Sequence, residues 1–561
     1  MEKRALIALA LSFLIFMAFM YIGEKQKPQV PVTPPAKVAK SEAPPGPAPE
    51  AKPAPAPPPP PVTMTRPAKD VVVETPLFRA VFTEQGARLK SFQLKKYHQE
   101  IKFPAIYNFS LGPVGLEVDR YQDPAKNGLK PKELVQPGKH QDLPLSLSWA
   151  GKDVTVPALL PYEASQGAVT LKAGDTATLK FTGVSSEGVN LTKIFTFKSD
   201  SYAFDLTVKV ANHAGRALDG HLDLSLAENF SGETSSALFL GFNGSVNNRL
   251  EEIKSGGLKE LKTFTGKIDF ATLDEGYFIT AMVPQGTAKP LLTLSETLPG
   301  SMVATLRTPV EALSPGQETQ LAYTLYFGPK DLDDLKALQV GLERTVSFGW
   351  FDILGKPLLA TLKFFNRYVH NYGIAIIILT IIIRVLFFYP SHKSYISMKE
   401  MQKLQPKVAK IREKYKDDKQ AMNKEVMALY RTFKVNPLGG CLPMVMQLPV
   451  FVALYNVLGY AIELRHAPFI ITLPFTNIVW LMDLSAKDPL LITPIIMGAT
   501  MVVQQRMTPS PGDPTQAKMM MFLPVVFTFM FLNFASGLVL YWMVNNVLSV
   551  VQQYYTNKYI T

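Results

Sequence analysis

The sequence predicts a multi-domain membrane protein, in which an all-β domain outside the membrane joins an α-helical membrane domain with six transmembrane helices and a cytoplasmic helical hairpin. Of 561 residues, 47% are hydrophobic and only 19% are charged, whereas ordinary soluble domains contain roughly 25% charged residues. Six apolar runs are long enough to suggest membrane spans. Between the first two, hydrophobic residues alternate with period two, which is typical of strands.

Residues 1–23 are predicted to form an N-terminal transmembrane anchor. A basic start, Met1–Arg4, precedes the uncharged run Ala5–Ile22, and no small-residue cleavage site follows. This pattern favours an uncleaved anchor over the alternative, a cleaved signal peptide. Residues 24–70 contain 16 prolines and no aromatic residue, so they are predicted to form an extended tether. A ligand for aromatic grooves is the alternative.

Residues 71–346 are predicted to form a large β-sandwich that ends in a helix. Stretches such as Tyr202–Val210 alternate strictly, and Gly and Asn residues separate many such stretches. Residues 329–346 are predicted to be the C-terminal helix, because four leucines share one helical face: Leu332, Leu335, Leu338 and Leu342.

Residues 349–369 are predicted to form an amphipathic helix on the bilayer surface, with an ordinary packing helix as the alternative. Large apolar residues such as Trp350 and Phe365 alternate there with Lys356, Lys363 and Arg367. Five further spans are predicted at 372–389, 438–460, 490–505, 519–534 and 537–555.

The distribution of basic residues predicts the topology. Residues 391–437 carry 12 Lys plus Arg against 5 Asp plus Glu, whereas residues 461–489 carry only two basic residues. Because basic loops stay in the cytoplasm, we expect 391–437 and both termini inside and the β domain outside. The net charge of +12 fits this topology as well as an anionic partner.

The segment 391–437 is predicted to be a hairpin of two helices, with Asp418 as the N-cap of the second. Its lysines are either simply solvated or contact phosphate-bearing surfaces, namely anionic lipid head groups or ribosomal RNA. The candidate contact residues are Lys399, Lys403, Lys407, Lys410 and Lys414.

Polar residues in the predicted spans concentrate in the cytoplasmic half, which suggests a hydrated cavity that is open only to the cytoplasm. Arg384 stands out, because no predicted span contains an acidic partner for it. The alternative is that its long side chain snorkels to the interface. The other candidates to line this cavity are Gln447, Gln504, Gln505, Trp542, Asn545, Asn546 and Ser549. Below Trp542, one broad polar face of the last span is predicted to carry Asn545, Asn546, Ser549, Gln552 and Gln553.

Four motifs resemble the YidC/Oxa/Alb family, and the order of segments resembles its bacterial YidC-type members over essentially the whole chain. The motifs are Asn436–Pro443, Asp483–Pro489, Ser536–Trp542, and Thr380 one turn before Arg384. One departure is Trp542, where a second tyrosine is common in the family.

The resemblance implies an inner-membrane insertase and chaperone for nascent membrane proteins, which acts alone or with the Sec translocon and contacts ribosomes through the hairpin. It implies a hydrophilic groove that includes Thr380 and Arg384, and a periplasmic β-supersandwich similar to sugar-mutarotase folds. It also implies a hydrophobic slide along spans three and five, to which we assign Leu448, Phe451, Phe527, Met530 and Phe531.

Two other classes of function remain as alternatives. A solute transporter or channel with a periplasmic binding domain would be expected to show two similar halves or broken helices, which the sequence does not display. An epimerase on the β domain lacks support, because the seven histidines have no metal-ligand spacing and no catalytic motif occurs. No cofactor or metal is expected.

Overall fold

The computed structural model describes residues 67–99, 130–136, 142–230, 238–286, 289–433, 435, 442–475, 479–507 and 514–559. The chain divides into two compact units. One unit includes 62–398, 436–507 and 525–561, and the other includes 399–435 and 508–524. The predicted anchor and almost all of the predicted tether lie outside the described residues.

Three sheets form the β domain, and their strands are given in spatial order. The five-stranded sheet contains Pro131–Glu133, Arg88–His98, Phe78–Thr83, Asp70–Glu74 and Ala168–Thr170. The nine-stranded sheet contains Arg249–Lys254, Gly241–Val246, Ile268–Asp274, Phe278–Pro284, Glu318–Pro329, Ala203–Asn212, Val189–Lys198, Thr176–Val184 and Tyr162–Ala164. The six-stranded sheet contains Lys262–Phe264, Leu291–Leu298, Ser301–Leu313, Leu218–Asn229, Ser146–Gly151 and Thr155–Val156.

The period-two pattern of the sequence places alternate side chains in the core of this domain. In the strand Val189–Lys198, the side chains of Val189, Leu191, Phe195 and Phe197 are fully buried. Phenylalanines from several strands pack together at the centre, including Phe78, Phe82, Phe92, Phe181, Phe204 and Phe327. The predicted all-β domain is therefore confirmed at this level.

Lys193 is the exception to the apolar pattern, because it is a fully buried cation on the inward face of its strand. Its Nζ donates to the carbonyl oxygens of Gly86, Ala87 and Leu145 at 2.8, 3.0 and 2.7 Å. These three residues all have positive φ. Burial lowers the pKa of Lys193, but three carbonyl acceptors match the three protons of an ammonium group. Lys193 thus secures two strained turns to the nine-stranded sheet.

The C-terminal helix of the β domain is shorter than predicted. Helix α1 covers only Leu332–Ala337, with Asp331 as its N-cap, and a separate 3₁₀ turn follows at Leu342–Thr345. Gln339 and Gly341 between them have φ values of 56° and 83°, and these left-handed conformations interrupt the helix.

Eight further α-helices follow in the described residues. They are α2 (Asp352–Val369), α3 (Tyr372–Leu386), α4 (Phe388–Lys414), α5 (Lys419–Thr432), α6 (Leu442–Tyr460), α7 (Ile492–Met507), α8 (Pro514–Phe531) and α9 (Ser536–Tyr559). A two-stranded sheet, Ile470–Thr472 with Val479–Leu481, lies between α6 and α7.

The predicted second span, 372–389, is bent in the structure. The axes of α3 and α4 differ by 61°, because Pro390 lacks the N–H that would donate to the carbonyl of Leu386. Within the described residues, no single helix is both long and apolar enough to cross a membrane, but α3 and α4 together meet that criterion as a bent pair. The predicted boundary at residue 391 therefore differs from the structure, in which α4 begins at Phe388.

Lys363 of α2 connects the β domain to the helices. Its Nζ lies 3.2 Å from Asp331, 2.7 Å from Asp333 and 3.1 Å from Glu463, which follows α6. These carboxylates raise the pKa of Lys363 despite its partial burial. A second contact is the hydrogen bond that the Tyr277 hydroxyl donates to the carbonyl of Gly459, at 2.9 Å.

His466, in the segment between α6 and α7, is expected to make stability depend on pH. Burial and the neighbouring Arg465 charge lower its pKa to about 3, and His98 adds to the effect. Asp483, 3.8 Å away, does not reverse this shift. Because the unfolded chain binds the proton near pH 6.5, the stability that the neutral ring contributes is present above that pH and is lost as the pH falls toward 3.

We expect the loss between pH 7 and pH 4 to reach about 3 kcal/mol, measured by thermal unfolding of the purified protein. His466→Asn should flatten this pH dependence, because it removes the imidazole that titrates. Asn also tolerates the φ of 57° at this position, so the backbone conformation is kept. His213→Asn, a change at an exposed histidine, serves as the control. Identical pH profiles for His466→Asn and the unchanged protein would contradict the assignment.

Candidate functional site

Helix α9 carries two polar stripes that contact different neighbouring helices. The first polar stripe consists of Tyr541, Asn545, Ser549, Gln552 and Thr556, and the second consists of Asn546 and Gln553. All of these side chains are buried except that of Asn545, which is half-buried. The sequence predicted one broad polar face here, whereas the structure resolves it into two faces with separate partners.

Arg384, near the end of α3, reaches the first polar stripe. Its Nη2 donates a hydrogen bond to Oγ of Ser549, and that hydroxyl donates to the carbonyl oxygen of Asn545 at 2.7 Å. Nε of Arg384 is buried and has no hydrogen-bond partner among the described residues. Within the described part of the chain, no carboxylate lies within ion-pairing distance of the guanidinium. Arg384 is therefore a half-buried cation that has no counter-charge among the described residues.

Gln447 of α6 extends the same polar site from the other side of α9. Its Nε2 lies 3.1 Å from Oδ1 of Asn545 and 3.4 Å from the hydroxyl of Tyr541. Three helices, α3, α6 and α9, thus bring Arg384, Gln447, Asn545 and Ser549 together, and we call these four residues the Arg384 site. The predicted groove residue Thr380 is buried in α3, where its hydroxyl donates to the carbonyl of Ile376 at 2.7 Å.

The second polar stripe faces α7 instead of Arg384. Asn546 lies 3.4 Å from the hydroxyl of Thr500, and Nε2 of Gln553 donates to the carbonyl of Met507 at 2.7 Å. Met507 is the last residue of α7, so Gln553 satisfies a carbonyl that the helix end leaves unpaired. Gln504 and Gln505 are half-buried near the same end of α7.

Trp542 lies among the predicted slide residues. Its ring centroid is 4.7 Å from that of Phe451, 5.9 Å from that of Phe527 and 5.2 Å from that of Phe531. Trp542, predicted for the groove, therefore joins α6, α8 and α9 in one aromatic cluster. Of the other two slide candidates, Met530 is half-buried, like Phe451 and Phe527, and Leu448 is exposed.

The motif Asp483–Pro489 closes the opposite end of the helices. The buried carboxylate of Asp488 accepts hydrogen bonds from Nε1 of Trp480 (3.0 Å) and from the backbone N–H of Leu490 (2.9 Å) and Thr493 (2.6 Å). This arrangement caps α7. The Ser536 hydroxyl donates to the carbonyl of Asp483 at 3.0 Å, so the same loop also fixes the start of α9.

The turn of α9 that follows Gly537 is apolar and buried. The side chains of Leu538, Val539 and Leu540 are at most 1% exposed. A Cβ on Gly537 would approach the carbonyl of Leu484 to 3.1 Å, so helix and loop are in close contact. The polar part of α9 therefore begins only at Tyr541 and continues toward its C-terminal end.

The hairpin lysines belong to the other compact unit. Four of them, Lys403, Lys407, Lys410 and Lys414, are exposed, whereas Lys399 is half-buried. Nζ of Lys407 lies 4.1 Å from the ring centroid of Phe433, a cation–π contact between α4 and the end of α5. The predicted N-cap Asp418 accepts from the backbone N–H of Gln420 and Ala421, both at 3.0 Å.

The two ends of the first polar stripe, Tyr541 and Thr556, were not among the residues predicted for the groove. Tyr541 accepts from Gln447, and Thr556 lies 3.4 Å from Nδ1 of His392 in α4. Spacings of four, four, three and four along the stripe place both residues on the face of Asn545 and Ser549. That periodicity was the available signal, and it would have added them to the candidates.

The Arg384–Ser549 contact should show energetic coupling. We expect Ser549→Ala to lower the free energy of unfolding by about 1 to 2 kcal/mol, because it leaves part of a buried guanidinium unpaired. In the Arg384→Met background, the same change should cost much less. Thermal unfolding in detergent gives the stability of the unchanged protein, the two single variants and the double variant. If the losses of stability in the two single variants add up to the loss in the double variant, the contact contributes nothing.

Comparison with known proteins gives consistent results over the whole chain. Residues 364–561 match the family described as "60Kd inner membrane protein", and residues 114–361 match the "YidC periplasmic domain". The "Membrane protein insertase YidC" of Syntrophus aciditrophicus is 42% identical, with 100% of both chains covered. That of Geobacter metallireducens is 43% identical over 100% of this chain and 99% of its own.

A solved structure also aligns with the chain. The crystal structure of an active YidC insertase with its first transmembrane domain resolved covers 88% of this chain and 93% of its own, with 18% identity and a TM-score of 0.37. The assignment to a family rests on the sequence matches, which span both the periplasmic and the membrane part. The chain belongs to the YidC family of membrane protein insertases.

Proposed function

We propose that this insertase receives the polar flank of an incoming membrane segment at the Arg384 site, through a groove that is open to the cytoplasm. The observation that carries the proposal is the half-buried guanidinium of Arg384. Among the described residues, its Nε has no hydrogen-bond partner and its charge has no carboxylate partner. A cation in this position attracts an acidic or strongly polar group.

The polarity of α9 supports a groove that reaches only partway across the bilayer. Its polar residues lie from Tyr541 to Thr556, whereas Leu538–Leu540 are buried and apolar beside the capped loop. Such a groove lowers the cost of bringing a flank partway into the membrane. The apolar part of the substrate then gains roughly 0.3 to 0.6 kcal/mol per Leu-like residue on insertion. Partition into lipid supplies the energy, and no nucleotide is required.

The aromatic cluster around Trp542 supports a role as the slide for the apolar part of the substrate. It adjoins exposed apolar side chains on the same helices, including Leu448, Val525, Val526 and Phe529. Aromatic and aliphatic side chains adapt to varied apolar helices without sequence-specific hydrogen bonds. The slide candidates Phe451, Phe527 and Phe531 therefore contact Trp542 on one side and leave neighbouring apolar positions for a substrate.

The same proposal includes the partners and the topology that the sequence suggests. Nascent membrane proteins are the substrates of an insertase, and we propose that the Sec translocon delivers some of them. Exposed lysines on α4 suit the phosphates of ribosomal RNA or anionic lipids. We further propose six spans, with the hairpin and both termini in the cytoplasm.

Cysteine labelling in intact cells tests this topology. A cysteine in place of Asp417 should react with a membrane-impermeant reagent only after the inner membrane is opened, because it lies in the basic segment. A cysteine at the exposed Ser186, next to Ser185 in the β domain, should react without that treatment. Reversed accessibility at either position would overturn the direction in which the groove opens.

Insertion assays with altered flanks test the Arg384 site. Arg384→Ala should impair substrates with acidic flanks by as much as about tenfold, since about 1.4 kcal/mol of contact corresponds to that factor. Arg384→Lys should be tolerated, because the charge persists. One substrate whose flank acids are neutralised one at a time provides the matched series in both backgrounds. If Arg384→Ala impairs insertion equally whatever the charge of the flank, Arg384 does not contact the flank acids.

A further inference from the structure

The β domain contains a cleft of about 530 Å³ at one end of the six-stranded sheet. Four neighbouring strands contribute to it: Ser146–Gly151, Leu218–Asn229, Ser301–Leu313 and Leu291–Leu298. This volume lies within the range of pockets that hold small molecules. The insertion mechanism proposed above does not use the cleft.

Three cationic side chains line this cleft against a single carboxylate. The cations are Lys152, Lys289 and Arg307, and the carboxylate is Asp219. Asp219 pairs with Lys152 at 2.8 Å, whereas Lys289 is exposed and has no ion pair among the described residues. When Asp223, which pairs with Arg307, is counted with Asp219, the cations outnumber the carboxylates by one, and the unpaired cation is Lys289 among the described residues.

Arg307 is held in place by a carboxylate on the neighbouring strand. Asp223 accepts from its Nε at 3.0 Å and from its Nη2 at 2.8 Å, which leaves Nη1 for another partner. The side chain of Asp223 is only 15% exposed, whereas that of Arg307 is 42% exposed. A bidentate pair of this kind fixes the guanidinium plane in advance. The imidazole of His221 lies beside it, with Nε2 3.8 Å from Asp223.

The chemistry of the lining favours an anion over a neutral sugar. None of the described lining residues is a Phe, Tyr or Trp, so the site lacks the apolar ring faces that amphipathic ligands commonly pack against. Arg307 lies within a strand, Lys152 directly follows a second strand and Lys289 precedes a third. Three cations so spaced match a ligand with more than one negative group.

The position of the cleft argues against lipid head groups as the source of that anion. The strand Leu218–Asn229 lines the cleft with its first residues. Glu228, at the other end of this strand, interacts electrostatically with Glu275 and Lys132. Those residues adjoin Tyr277, whose hydroxyl contacts Gly459 of the helical part. The seven residues from His221 to Glu228 span about 23 Å of strand. The cleft thus opens at the end of the domain that lies away from the membrane helices.

We propose that this cleft binds a small soluble molecule that carries two or more phosphate or carboxylate groups. Lys289 and Arg307 bind the anionic groups, and Lys152 adds to the positive field. The β domain thereby has a ligand-binding function that is separate from the groove.

Titration calorimetry of the full-length protein in detergent tests the proposal, with tripolyphosphate and citrate as probes. We expect saturable binding of at least one probe, which weakens as salt is added. Lys289→Ala and Arg307→Lys should each weaken binding, the first by about fivefold, in line with the loss of one exposed ion pair. Lys180→Ala, a change at an exposed lysine on the nine-stranded sheet, should leave it unchanged.

Vesicles with anionic phospholipids form the second arm of the experiment. We expect no difference in vesicle binding between the unchanged protein and Lys289→Ala. Absence of saturable binding by both soluble probes would overturn the proposal, as would equal affinities for the unchanged protein and Lys289→Ala. Vesicle binding that depends on Lys289, without binding of either soluble probe, would show that the cleft binds lipid head groups. That result would overturn the proposal of a soluble ligand.

Discussion

A polar group inside an apolar helix bundle is costly unless it has a hydrogen-bond partner. Helix α9 supplies such partners to polar groups of its neighbouring helices. Its first polar stripe receives Arg384 through Ser549 and Gln447 through Asn545. Its second polar stripe reaches Thr500, and Gln553 satisfies the terminal carbonyl of α7. Because a hydrogen bond is worth more in a medium of low dielectric constant than in water, these contacts decide which helices lie beside α9. The packing of α3, α6 and α7 around α9 depends on these contacts.

The same helix separates a polar region from a dry one. At its N-terminal end, the loop around Asp488 satisfies its own backbone groups and caps α7, so this end needs no water. Toward the C-terminal end, Nε of Arg384 and the Oε1 atoms of Gln552 and Gln553 have no hydrogen-bond partner in the described structure. The proposed groove uses both regions: the polar region lowers the cost of admitting a flank, and the apolar region keeps the membrane closed.

The β domain is built on a different principle. Its core is a large set of interlocking apolar side chains, and the fully buried Lys193 is satisfied by backbone carbonyls alone. Contact with the helices depends on a few polar groups, chiefly Lys363 with the carboxylates of Asp331, Asp333 and Glu463. A limited polar junction of this kind leaves the domain free to carry a function of its own.

The sequence by itself determined the division into a β domain and a helical part, because alternation and apolar runs are local patterns. It also determined the N-cap at Asp418 and the lack of acidic residues in the predicted spans around Arg384. It did not determine the length of the helix after the β domain, which two left-handed residues, Gln339 and Gly341, cut short. The bend between α3 and α4 was likewise decided by the backbone at Pro390.

Only the tertiary structure decided the partners of each polar residue. Asn546 and Ser549 are three residues apart, yet one contacts α7 and the other contacts Arg384. Trp542 carries a polar indole N–H but lies in an aromatic cluster. The physical reason is that periodicity fixes the face of a helix on which a side chain lies, whereas the neighbour on that face depends on how distant segments pack.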